Sequence, residues 1–231
     1  MKRRSFLGHA GSSVTAAALG GLPFGRVLPP FARADYLLVP MDETQSDHLK
    51  AYGVAYRVLS RGARAEWLLN YRSGAFLLPA DTGTARDAAL GGVSTVPVDE
   101  GTALGIRAEI ADANMDAIPL EKAPKVAVYV SPNAAPWDDA VTMALQYAGI
   151  EYDKLWDEDV LTGGLSNYDW LHLHHEDFTG QYSKFYLNYA GSPWLTEMVS
   201  LNQDAASRLN YPSVPALKRA VAETIGSYVE R

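Results

Sequence analysis

Apolar residues in this chain fall into short continuous runs separated by segments of helical spacing. Asp35-Tyr-Leu-Leu-Val-Pro40 is a continuous apolar run closed by proline, which predicts a short buried strand. Asp42 to Asp47 supplies cap-type residues. Leu49, Tyr52, Tyr56 and Leu59 then recur at helical spacing up to Gly62, so a helix is expected with those four on its buried face. Glu66–Tyr71 and Ala75–Leu78 read as strands flanking the turn Arg72-Ser73-Gly74, together a hairpin. The pattern weakens over 79–122: a short helix over Thr84–Leu90, a short strand over Ser94–Val98, a helix over Gly101–Ala111, and a connector over 112–124.

The second half is more sharply patterned. Lys125–Val130 predicts a strand, 131–136 a loop, and Trp137–Ala148 a helix stopped by Gly149. Tyr152–Trp156 and Tyr168–His174 predict strands around a Gly-rich turn over Leu161–Asn167. Gln181–Tyr189 has a helical pattern, and Pro215 opens a final helix with Leu217, Val221, Ile225 and Tyr228 on one face. Strands and helices joined by connections this short predict an α/β layer fold with a mostly parallel sheet.

The 231 residues have ordinary globular composition, which excludes collagen-like, disordered and coiled-coil classes. There is no cysteine, so disulfides, thiolate metal sites, Fe–S clusters and a cysteine nucleophile are excluded. The first 34 residues read as an address. Lys2-Arg3-Arg4-Ser5-Phe6-Leu7 precedes a weakly apolar run, Ala10–Leu22, and Ala32-Arg33-Ala34 forms a small-residue cleavage pattern. Arg-Arg-x-Phe-Leu resembles a twin-arginine signal, with Gly8 where a lysine usually follows. The expectation is a protein exported to the periplasm or beyond, with no stable membrane anchor after signal removal. That segment holds five basic residues and no acid, so its removal takes the net charge from −7 to −12. So acidic a body repels phosphate backbones and disfavours nucleic acid, while a neutral or cationic small-molecule ligand is easier to accommodate. The parsing is thus 1–34 signal, 35–122 an N-terminal α/β portion with a hairpin, and 123–231 a second α/β portion.

The densest chemistry is His172-Leu-His174-His175-Glu176-Asp177. On a strand, His172 and His174 share one face and His175 takes the other. The cluster lies at the predicted carboxyl end of a strand, where open α/β sheets bind ligands. Candidate ligand-binding residues are His172, His174, His175, Glu176, Asp177 and Thr179. His172, His174 and Asp177 form a possible set for a divalent metal such as zinc, iron or manganese. A structural polar network at a strand end is the alternative. Asp157, Glu158 and Asp159 follow the preceding strand and are expected to converge on the same edge. In the loop before the Trp137–Ala148 helix, Asp138 and Asp139 read as first-turn carboxylates that oppose a phosphate. Thr179-Gly180 reads as an ordinary strand-to-helix turn or, alternatively, as one offering backbone N–H groups to a substrate, with Tyr182, Lys184 and Tyr186 adding polar tips. Trp137, Trp170 and Trp194 are candidates for a pocket lining. No phosphate-binding glycine motif and no Gly-x-Ser-x-Gly elbow occurs.

At Lys125–Val130, Pro136-Trp-Asp-Asp-Ala140 and, most specifically, Tyr168–Tyr182, the sequence resembles bacterial proteins with a class I glutamine-amidotransferase-like domain. Some of these carry the label asparagine synthetase B. The resemblance spans roughly 35–231 and implies a flavodoxin-like, mostly parallel sheet with helices on both faces. It also implies family members that continue beyond Arg231, so the chain is either a shortened form or a domain ending on a docked helix. The family's chemistry does not transfer, because amidotransferases need a cysteine and this chain has none. Three readings follow: an exported amidotransferase-like domain without the cysteine that binds a small ligand or partner; a metal-dependent hydrolase using His172 and His174; and an incomplete piece of a longer enzyme.

Overall fold

The computed structural model describes residues 34–135, 139–174, 178–180 and 187–230. The first half forms a five-stranded sheet from β1 (Tyr36–Val39), β2 (Ala65–Leu69), β3 (Ala75–Pro79), β4 (Val96–Val98) and β5 (Asp116–Leu120). The strand order is β4-β1-β3-β2-β5, and every pairing is antiparallel. Its helices are α1 (His48–Ser60), α2 (Thr82–Gly91) and α3 (Glu100–Asp112). The main sheet therefore departs from the expected mostly parallel arrangement, and the cause lies in what the apolar runs report. Val39, Phe76 and Leu78 pack with Val54 and Val58 of α1 and Ala88 of α2, whereas Leu38, Ala75 and Leu77 pack with Ala103, Ile106 and Ile110 of α3. Helices cover both faces of β1 and β3, so every position in these two strands is apolar, as in parallel sheets, although the pairing is antiparallel.

The hairpin is as expected, with Trp67 opposite Phe76. Its turn is tight, with Asn70, Arg72 and Ser73 at φ of 64°, 45° and 62°. The region over 112–124, expected as a connector, contains edge strand β5, whose mixed Asp-Ala-Ile-Pro-Leu sequence conceals it. Helix α1 turns a different face inward than its large residues suggest. Ala51, Gly53, Val54, Ala55, Val58 and Leu59 are buried, while Leu49 and Tyr52 are 44% and 46% exposed. Small residues are selected because another helix crosses there: a Cβ on Gly53 would stand 1.8 Å from the Ala148 carbonyl oxygen.

That second helix belongs to the other half. There β6 (Val126–Tyr129) lies between β7 (Tyr152–Leu155) and β8 (Trp170–Leu173), and both pairings are parallel. One face of this sheet, Val126, Val128 and Val130, packs on Leu145 of α4 (Ala140–Ala148). The other face, Ala127 and Tyr129, packs on α5 (Asp157–Leu161), α6 (Pro193–Arg208) and α7 (Val214–Val229). Helix α7 matches the expected final helix. Helix α6 was not expected; its polar stretch, including Asn202, Gln203 and Asp204, hides the apolar stripe through Leu195, Ala205 and Ala206. The helical reading of 181–189 falls largely outside the described residues, as does the start of the helix expected from Trp137. Arg57 Nη1 of α1 donates to the Ala148 carbonyl at 3.1 Å, and the Tyr147 hydroxyl donates to Asp47 Oδ2 at 2.5 Å, tying α1 to α4.

Candidate functional site

The carboxyl ends of β6 and β8 lie side by side, and each contributes to one polar cluster. Asp139 is the N-cap of α4: its Oδ1 accepts from the Val141 backbone N–H at 2.8 Å. It is not the first-turn residue that the sequence suggested, and Asp138 lies outside the described residues. The second oxygen, Oδ2, lies 2.6 Å from Nε2 of His172 and 3.3 Å from Nδ1 of His174. His172 pairs in register with Val128, so it emerges on the α4 face of the sheet, directly toward the cap. The expected pairing of His172 and His174 on one face is therefore present. His172, His174 and Asp139 retain 21%, 13% and 10% side-chain exposure, so the cluster is mostly dry yet reachable.

Burial alone would push the Asp139 carboxyl up. The Val141 N–H, the His172 hydrogen bond and the adjacent imidazoles outweigh it and hold the group below the usual carboxylate range. A carboxylate that orients an imidazole through one ring nitrogen leaves the other for proton transfer or ligand binding. Nearby, the Ser131 hydroxyl donates to Asn133 Oδ1 at 2.5 Å within the loop after β6.

The other predicted site residues distribute differently. His175, Glu176 and Asp177 lie outside the described residues, as do Tyr182, Lys184 and Tyr186. Thr179 is exposed, and Gly180, at φ of 62°, lets the chain pass the first turn of α7: a Cβ there would stand 2.9 Å from the Pro215 nitrogen. Among the described residues, no three His, Asp or Glu side chains are grouped to hold a metal ion. Trp170 lines a groove along the edge of β8 away from β6, whereas Trp194 packs on Tyr189 with centroids 5.4 Å apart; Trp137 is outside the described residues.

The expected convergence of Asp157, Glu158 and Asp159 on the histidines does not occur. Asp159 Oδ2 accepts from the Trp156 N–H at 2.9 Å, and Glu158 pairs with Arg208 at 2.7 Å. Asp157 is fully buried on the opposite face of the sheet. There its Oδ1 accepts from the Tyr129 hydroxyl at 2.5 Å and from Lys218 Nζ of α7 at 3.0 Å. Lys218 Nζ also stands 3.7 Å from the centroid of the Trp156 ring, and Tyr129 stacks between Trp156 and Phe178. Alternation along β6 separates the two clusters: Val128 faces the histidines and Tyr129 faces the lysine. Sequence reasoning missed both Asp139 as the histidine partner and Lys218. Asp139 had a usable signal, since it starts a helix after the strand neighbouring β8; a lone lysine inside an amphipathic helix had none.

No family model, curated protein or solved structure matches this chain. Among the described residues no helix is long and apolar enough to cross a membrane.

Proposed function

We propose that this chain is an exported, amidotransferase-like α/β protein without the family's cysteine, and that it binds a small ligand at the carboxyl edge of its three-stranded sheet. The order β7-β6-β8 is that of the first three strands of a flavodoxin-like sheet, which supports that finer fold for the second half. In such a sheet the chain leaves the central strand to one side and returns on the other. The crevice between the two outgoing loops is where ligands bind. The observation that carries the reading is the 2.6 Å contact between Asp139, at the start of α4, and His172, near the carboxyl end of β8. Asp139 fixes the ring through Nε2, and no hydrogen bond among the described residues engages its Nδ1. That nitrogen is the group offered to a guest.

Native mass spectrometry of the protein recovered from the exported fraction tests this reading. A retained small organic molecule, lost in His172→Ala, is the expected result. Glutamine hydrolysis by the purified chain overturns it. Retention of a divalent ion that the His172→Ala, His174→Ala double variant loses replaces it with the metal-dependent hydrolase.

A further inference from the structure

A second concavity opens at the amino edge of the small sheet, on the opposite end from Asp139 and His172. It encloses about 290 Å³, the size of site that takes a small ligand. Three tyrosines line it: Tyr56 from α1, Tyr152 at the start of β7 and Tyr168 just before β8. Glu151 and Asp153 complete one side and Lys125 another. The Tyr168 hydroxyl donates to Asp153 Oδ2 at 3.0 Å, and the Tyr152 hydroxyl accepts from Gln146 Nε2 at 2.9 Å. These bonds hold two of the rings in place and use their polar tips, while Glu151 keeps its carboxylate oxygens for a guest. Glu151 has neither a hydrogen bond nor an ion pair among the described residues, and Lys125 Nζ comes within ion-pair distance of neither acid. The lining thus keeps a net negative charge beside aromatic rings.

We infer that this cavity binds a small organic cation, of the alkylammonium class, by ring faces and by the Glu151 and Asp153 carboxylates. Aromatic rings attract such cations through their quadrupoles, most strongly where water is partly excluded. Tyr56 reports the same field: burial raises its phenol above the ordinary value, and the charges of Glu151 and Asp153 push the same way. The acidic net charge of the whole chain, −7, favours cation approach. Lys125 works against the guest and so sets a ceiling on affinity that a substitution can lift.

The test is a titration of the full chain, carrying 13C-labelled tyrosine, with tetramethylammonium and choline chlorides at low ionic strength. Saturable shifts of the Tyr56, Tyr152 and Tyr168 rings are expected. Glu151→Gln should weaken binding, and Lys125→Gln should tighten it, each roughly two- to fivefold, the range of exposed charge pairs. Both residues are exposed, so neither change touches the packing. 3,3-Dimethyl-1-butanol, the uncharged counterpart of choline, should produce no saturable shift. Absence of saturation by either cation, equal binding of the alcohol, or unchanged affinity in Glu151→Gln would each overturn the inference. His172→Ala should titrate like the parent, which separates this site from the one at the carboxyl edge.

Discussion

Replacing Lys218 by methionine removes one charge from a pair that water barely reaches. Lys218 is 2% exposed and Asp157 fully buried, with 3.0 Å between Nζ and Oδ1. At an effective dielectric of about 20, that separation corresponds to an attraction of about 5 kcal/mol. Desolvation offsets most of it in the intact protein, so the pair itself adds little net stability. The single variant is another matter, because it leaves the fully buried Asp157 carboxyl without its cation. Among the described residues its Oδ2 has no hydrogen-bond partner. The expected loss is about 3–5 kcal/mol. With a urea slope of about 2–3 kcal/mol per molar, the midpoint should fall by about 1–2 M. Trp156, 3.7 Å under the ammonium, gives the fluorescence signal for the transition. Lys218→Met combined with Asp157→Leu removes both charges and should recover most of the loss. A single variant within about 1 kcal/mol of the parent, or a double variant no better than the single one, would refute the account of this network.

Two further perturbations read other parts of the fold. Gly53→Ala in a helix interior ordinarily stabilises by about 0.5–1 kcal/mol. Here the new Cβ meets the Ala148 carbonyl at 1.8 Å, so a loss of about 1–3 kcal/mol is expected in a thermal melt, and a gain would show that α1 and α4 do not cross at this point. The Asp42 carboxyl is held down to about 2, chiefly by the hydrogen bond from Arg72 and next by Thr44. A carboxyl lowered on folding contributes stability above its unfolded value that is lost as pH falls toward the folded one. Arg72→Ala should therefore raise the Asp42 value toward the ordinary carboxylate range in an NMR titration and shrink the acid arm of the stability profile. An unchanged Asp42 value would mean the ion pair does not form in solution.

The elements with strong local signals were legible. Asp47, in the cap-type stretch Asp42–Asp47, caps α1, and Gly149 ends α4 in the left-handed conformation. Strand direction was not legible, because a continuous apolar run such as Ala75–Leu78 records helices on both faces and says nothing of how neighbours run. The inward face of α1 was misread for a related reason. Close helix crossing selects Gly53 and Ala51 rather than Tyr52, so the largest residues point away. At the site, two histidines on one face followed from alternation alone. Asp139 lies 33 residues from His172 along the chain, and the Asp157–Lys218 contact spans 61. Local pattern carries no information over such distances; only the parallel pairing of β8 with β6 and the docking of α7 create those meetings.

The buried lysine also sets an order in time. Tyr129 and Lys218 are 89 residues apart, whereas the hairpin joins Leu68 to Ala75 across a single turn. Loops that long close late, after local contacts have begun to form. Until α7 arrives, the pocket around Asp157 lacks its cation, and the carboxylate favours a hydrated, open arrangement of α5 against the sheet. Seating the last helix shuts that pocket, so Lys218 and Asp157 meet only where α7 is docked on the sheet.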